Sequence, residues 1–442
     1  MTLESKYNVP TVALHTEKFD RIVRSTTRVG GLPQAAFCFV PMPVMGKSAA
    51  ELRAYVEGAD PLSGRPLMQE VVEGLTTAYS PEPDAGGFNP RFVPAPTPRL
   101  VEPATEDELR QLFEDNNWTD FLPIVLPTEE RVAAMLAATS HKPEEVVGRM
   151  QPTHNRGYWE YTVEKVAVNA VMAGARPEYF PVILALAASE ITARSSTSSS
   201  AAPMVVVNGP IRHEIGMNSG TGAMGPFNRA NATIGRAYGL LSMNGQGGSV
   251  PGETFAGSLG NAYTYSNLTF AENEERSPWE PLHVTKGFKP EDSTVSIFWG
   301  GRSTTFNLGL REQHWREHVH DMLMGTDQLT APCLVLDPIT ARQFIDRGGF
   351  DTKDKLFDWI HETAKMPAGE YWDLQLVQNY LYPRATFGEE PFATKLKAAP
   401  DELIHTFRRE EINVVVVGGE TNGYWQIMGT NYRKTVCVED WR

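Results

Sequence analysis

Short apolar runs that stop at asparagine, aspartate or glycine set the strongest limit on how this chain can fold. MVVVNGP (204–210), CLVLDP (333–338) and INVVVVGGETNGYW (412–425) each carry consecutive valine, leucine or isoleucine residues into a turn. A strand apolar on both faces must be covered on both faces, as in an α/β layer. Between these runs lie stretches with helical spacing, among them TEDELRQLFEDN, YTVEKVAVNAVMAG, PEYFPVILALAASEITA, RANATIGRAYGLLSMN, REQHWREHVHDMLMG, ITARQFIDRGG and KDKLFDWIHETAKMP. Thr105 ahead of Glu106 and Glu108, and Thr128 ahead of Glu130, supply helix starts. FCFVPMPVM around Cys38, FLPIVLP (121–127), STVSIFWG (293–300) and TVCVEDWR (435–442) add strand candidates. The alternation predicts an α/β fold of largely parallel sheets flanked by helices, in two lobes.

At 442 residues the chain exceeds the roughly 250–300 at which one core stops growing, so more than one domain is expected. Residues 1–103 read as an irregular extension ending in the proline-rich linker SPEPDAGGFNPRFVPAPTPRLVEP. Residues 104–305 read as the main α/β domain and 306–442 as a C-terminal α/β domain. A wrapping arm of that length suggests a homo-oligomer.

A formal charge of -14, with no basic run, argues against a nucleic-acid surface, which needs clustered Lys and Arg. No apolar stretch approaches the ~20 residues that span a bilayer, so no membrane role is expected. MTLESKYNVPTVALHTEKFDR lacks an apolar signal core, and the expected location is the cytoplasm. Cys38, Cys333 and Cys437 lie far apart without a CxxC, which argues against a disulfide framework or a cysteine metal site.

The densest polar motif is NSGTGAMGPFNRANATIGRA (218–237), a glycine-rich turn feeding a helix. Its spacing is neither GxxxxGK[ST] nor a clean GxGxxG after a strand, so no nucleotide is expected. Exposed N–H groups in such a turn can hold an anion. Arg229 and Arg236 could add a fork for a carboxylate, and Asn218, Asn228 and Asn231 supply further substrate contacts. The same asparagines could equally cap and bridge turns; both readings stay open.

AENEERSPWEPLH brings Glu272, Glu274, Glu275, Glu280 and His283 together. Glu272 and Glu274 are candidate proton carriers beside Trp279, against the plainer reading of a solvated acidic loop. Asn208 and His213 follow the MVVVNGP strand, where open α/β sheets hold ligands, and His213 is a third catalytic candidate. His154 sits in a loop and is as readily incidental. His314, His318 and His320 in HWREHVH are candidate ligands for a divalent metal, although the pattern is not HExxH and suits a helix surface.

Several segments resemble the bacterial UGSC-like proteins, which are distantly compared with glycine-reductase-type selenoproteins. They are NNWTDFLPIVLPTEERVAAML, YTVEKVAVNAVMAGARPEYFPVILA, VVVNGPIRHEIGMNSGTGAMGPFNRANATIGRA, FAENEERSPWEPLHV and INVVVVGGETNG. The likeness is dense over 105–305 and looser over 330–442. This chain has no Gly-Ser-Cys element and carries Ala175 where the resemblance implies a cysteine. Thiol or selenol redox chemistry is therefore not the first expectation. The favoured reading is a lyase- or hydrolase-type enzyme that cleaves a carbon–heteroatom bond in a small anionic substrate. The alternatives are a non-selenium subunit working with a thiol or selenol partner, and a ligand-binding or scaffold protein without turnover.

Overall fold

The computed structural model describes residues 2–7, 9–29, 34–77, 98–150, 160–194, 198–246, 249–252 and 255–442. The proline-rich linker from 80 to 97, His154, and residues 195–197 of the serine tract lie outside the described residues. In chain order the strands are β1 (Val12–Thr16), β2 (Ala36–Val40), β3 (Val146–Arg149), β4 (Glu160–Thr162), β5 (Ala202–Asn208), β6 (Thr269–Ala271), β7 (Thr294–Leu308), β8 (Ala331–Leu336), β9 (Lys365–Pro367), β10 (Leu403–His405), β11 (Asn413–Val416) and β12 (Tyr424–Cys437).

Six of them form one sheet in the order β11-β8-β12-β7-β5-β6. The pairs β5–β6 and β8–β11 are parallel, as the apolar runs suggested. The three inner pairings, β8–β12, β12–β7 and β7–β5, are antiparallel. The sheet is thus mixed rather than largely parallel. The cause is the length of β7 and β12, at 15 and 14 residues, which carry the chain back across the middle of the sheet. The two halves repeat one order: a strand, helices, a parallel outer strand, then a long antiparallel inner strand. The division expected at 305/306 falls inside β7, which pairs with both β5 and β12.

Alternating side chains divide the packing. Val205, Val207, Ala271, Val295 and Ile297 face the helices Val163–Met172, Phe180–Ala188 and Arg229–Gln246. Leu334, Leu336, Val414, Val416, Trp425 and Ile427 face Trp315–Met324, Pro338–Gly348 and Lys353–Thr363. On the opposite face Met204, Val206, Phe270, Phe298, Cys333, Val335, Val415 and Met428, from all six strands, share one buried cluster. The two edges of the sheet also approach each other at their carboxyl ends. Asn273, just past β6, closes the seam by donating its N–H to Val416 O on β11 at 2.8 Å. Fully enclosed clusters of this kind supply most of the folding drive, at about 25 cal/mol per Å² of apolar area.

Where β7 leaves β5, Gly300 (φ 151°) and Gly301 (φ 60°) bend the strand. A Cβ on Gly300 would lie 2.5 Å from Gly429 O, so the bend needs glycine.

The strand candidate around Cys38 is β2, which pairs in parallel with β1 over Cys38, Val40 and Leu67, so the N-terminal stretch is not irregular throughout. Asp60 stabilises it by accepting from Phe39 N at 2.6 Å and Leu62 N at 2.7 Å. FLPIVLP, by contrast, joins no strand. Pro123 and Pro127 remove the N–H groups that a ladder would use. The helix starts hold: Thr105 and Glu108 form a capping box, and the Thr128 side chain accepts from Arg131 N.

Candidate active site at the carboxyl ends of the parallel strands

β5 and β6 run side by side in the same direction, so Asn208 and Glu272 emerge at one edge of the sheet. Gly209 (φ 81°) turns the chain there; a Cβ would sit 2.2 Å from Asp292 O. Pro210 then starts the short helix Ile211–Glu214, which presents Arg212 and His213. On the β6 side Glu272 and Asn273 lead into the 3-10 turn Glu274–Arg276.

One carboxamide and one guanidinium knit these two exits together. Asn208 Nδ2 donates to Glu272 Oε2 at 2.6 Å and Glu274 Oε1 at 2.9 Å, and Gly209 N donates to the same Glu274 oxygen at 2.8 Å. Arg212, buried, donates from Nε to Gly209 O and from Nη1 to Glu272 O at 2.8 Å. Its Nη2 reaches Glu274 Oε2 at 3.0 Å and Glu275 Oε1 at 2.9 Å. A buried cation with every face hydrogen-bonded is the affordable form of a buried charge. Glu275 Oε1 also lies 2.9 Å from His213 Nε2. The Arg212 hydrogen bond, against the cost of burial and aided by His213, holds the Glu275 carboxyl down at about 2.

The predicted proton carriers therefore occupy different settings. Glu272 has no exposed surface, and Leu282 N donates to its Oε2 at 2.7 Å. Glu274 has both oxygens engaged by Asn208, Gly209 and Arg212. His213 alone of the three stands open, with 66% of its side chain exposed. Sequence reasoning missed Arg212 and the role of Glu275. The available signal was the Arg-His-Glu run directly after a buried strand.

The glycine-rich motif folds on itself through its asparagines. Asn218 Nδ2 donates to Asn228 Oδ1 at 2.8 Å, and Asn228 Nδ2 donates to Gly222 O and Gly225 O. Asn231 Nδ2 donates to Asn218 O and Ala223 O, while its Oδ1 accepts from Asn218 N at 3.1 Å. These bonds close a turn, which is the bridging role left open above. Arg236 is engaged outside this loop: it holds Asp120 through Nε and Nη2 at 3.0 and 2.8 Å and donates to Pro123 O and Leu122 O. Arg229 is exposed, and among the described residues no ion pair engages it.

The motif's first half packs on the second strand pair. Gly418 N donates to Ser219 O at 2.8 Å, and Asn273 Nδ2 donates to Gly418 O at 2.9 Å. Gly419 lies so close that a Cβ would come within 2.0 Å of Thr221 Oγ1. Asp337, at the end of β8, caps Pro338–Gly348 by accepting from Thr340 N, and Gly418 packs against it. The carboxyl ends of both parallel pairs thus meet under the Ser219–Thr221 segment.

The three histidines of HWREHVH do not gather. His314 takes φ 59° ahead of the helix and lies 3.7 Å from Glu317, while His320 pairs with Asp321. This is the helix-surface arrangement. A cleft of about 700 Å³ lies away from the strand ends, at the β7 bend. Ser198, Ser200, Asn261, Tyr263 and Arg302 line it, and Arg302 is paired with Asp327. It lacks a carboxylate or histidine for proton transfer, so its size does not make it the chemical site.

No helix among the described residues is long and apolar enough to cross a membrane. No family model, curated protein or solved structure matches the chain.

Proposed function

We propose that the chain is an enzyme acting on a small anionic organic substrate by acid–base chemistry, cleaving a carbon–heteroatom bond as a lyase or hydrolase does. The group that moves the proton in this reading is His213. The observation that carries it is the His213–Glu275 pair: an exposed imidazole with Nε2 on a carboxylate that buried Arg212 holds in place. A carboxylate on one ring nitrogen orients the imidazole and leaves Nδ1 to take or give a proton.

Glu272 and Glu274 become positioning residues here, since one is enclosed and the other is fully hydrogen-bonded. Arg229 is the cation of the glycine-rich motif that this reading assigns to the substrate's anionic group, because Arg236 is committed to Asp120. Burial pushes the Cys333 thiol up to about 12, which favours acid–base over thiol chemistry.

Assembly with further copies and a cytoplasmic location belong to the same proposal, as does kinship with the UGSC-like group. Phe227, Leu259 and Phe387, each at least 90% exposed, support association, and the free cysteines suit a reducing compartment. Light scattering tests the first point, with a monomer at micromolar concentration as the contrary result. The function itself is tested by turnover of a panel of small carboxylates and phosphate esters by the wild type and His213→Gln.

A further inference from the structure

Two histidines far from HWREHVH in sequence stack face to face. His361 closes the helix Lys353–Thr363, His405 ends β10, and their ring centroids lie 3.8 Å apart with planes 2° from parallel. Each ring is fixed by a backbone carbonyl. His361 Nδ1–H donates to Phe407 O at 3.0 Å, and His405 Nδ1–H donates to His361 O at 2.9 Å. A carbonyl only accepts, so both protons sit on Nδ1 and the nitrogen each ring leaves free is Nε2. Beside them Glu362 Oε1 lies 3.7 Å from His405 Nε2, and Glu362 Oε2 accepts from Lys365 Nζ at 2.7 Å.

One donor atom from each of His361, Glu362 and His405 falls within 4.8 Å of the other two. Neutral imidazoles with Nδ1–H on carbonyls, and a carboxylate steadied by a lysine, are the outer arrangement found around protein-bound zinc. The donor set, two imidazoles and one carboxylate, suits a borderline divalent transition ion rather than calcium or magnesium.

We infer that His361, Glu362 and His405 form a Zn²⁺ site that ties the end of the helix Lys353–Thr363 to β10. Tetrahedral zinc at about 2.0–2.1 Å from each donor asks for donors about 3.3 Å apart. Each Nε2 lone pair lies in its ring plane and must point at the ion, so the side chains close inward and the two stacked rings tilt out of parallel as the ion binds. Three protein ligands leave a fourth position for water. Because Glu362 is exposed and both histidines are partly exposed, the ion can enter without opening the core.

The test is isothermal titration of the full chain, stripped with chelator, using Zn²⁺ alone. One equivalent should bind. Glu362→Gln, a change at an exposed side chain, should weaken binding about tenfold, and His405→Ala by more. Co²⁺ in place of Zn²⁺ should give visible absorption of a tetrahedral site in the wild type and not in His405→Ala. The triple variant His314→Ala, His318→Ala, His320→Ala should keep the one-equivalent site. Absence of stoichiometric binding overturns the inference. So does binding indifferent to both Glu362→Gln and His405→Ala, or binding lost in the triple variant.

Discussion

Arg236 grips both carboxylate oxygens of Asp120, 116 residues earlier in the chain, and two neighbouring carbonyls with the rest of its guanidinium. The pair pins the strandless FLPIVLP segment to the helix Arg229–Gln246. Burial alone would raise Asp120, but the hydrogen bonds and charge of Arg236 outweigh it and leave the carboxyl below its ordinary range. Replacing Arg236 with Met leaves that carboxylate enclosed without its cation. Urea unfolding at neutral pH should show a loss of about 3 kcal/mol, with turnover constants of the folded protein unchanged. The sign with pH follows: a depressed carboxyl contributes fully above its unfolded value, and the contribution disappears as pH falls through the lower folded value. The wild type should thus lose stability in acid more steeply than Arg236→Met. A variant with wild-type stability and a raised KM would return Arg236 to the substrate.

The Arg212 hydrogen bond holds the Glu275 carboxyl down at about 2, so it is anionic at neutral pH. Its pairing with Arg212 and His213 is complete above the ordinary carboxylate range and fades only as pH falls from about 4 toward 2. Glu275→Gln keeps the shape and removes the charge. We expect kcat to fall about 10- to 100-fold, less than when a buried orienting acid is lost, with the unfolding midpoint little changed. An unaltered kcat would make Glu275 a surface ion-pair partner and nothing more.

Two glycines sit at close approaches, one against backbone and one against a side chain. A Cβ at Gly235 would lie 1.8 Å from Ser266 O, and one at Gly419 would lie 2.0 Å from Thr221 Oγ1. Gly235→Ala forces the helix Arg229–Gln246 off backbone and should cost about 2–3 kcal/mol. Gly419→Ala meets a side chain that can turn away, so its cost should be smaller and local. Amide hydrogen exchange should then quicken at Gly418, whose N–H is held by Ser219, while the helix 229–246 keeps its protection. Equal destabilisation by both substitutions would contradict this account of the strand-end seam.

Cys333 has no exposed surface, and burial pushes its thiol up to about 12. An aromatic disulfide reagent at pH 8 should leave Cys333 untouched in the native protein and modify it after unfolding in urea. Cys437, partly exposed, should react first. Rapid native labelling of Cys333 would revive the reading of a thiol-linked partner subunit.

What could be read from sequence was what is local. Thr105 and Glu108 sit three residues apart and cap their own helix, so the pattern contained the interaction. β5, β8 and β11 are buried along their whole length, and an unbroken apolar run carries that information. β7 was half legible: its first residues are buried, while its second half alternates with solvent and pairs only with β12. Pairing of that kind depends on residues more than a hundred positions away, and so does the mixed order of the sheet. The site divided in the same way. Asn208 is legible from its position after a strand, Glu272 and Glu274 from the acidic cluster beside Trp279, and the three do meet. Arg212 was overlooked because a buried arginine looks like any surface arginine until its partners are known. His361 and His405, 44 residues apart, fit no ligand motif, whereas the tight spacing of HWREHVH puts three histidines near each other without a common centre.

The most direct measurement is the turnover ratio between wild type and His213→Gln on whichever small carboxylate or phosphate ester the wild type converts, with folding of the variant checked by circular dichroism. The account predicts that kcat falls by about 10²–10⁴-fold, the usual share of a general acid or base. Equal turnover by the folded variant, or no conversion of any panel member by the wild type, would contradict it.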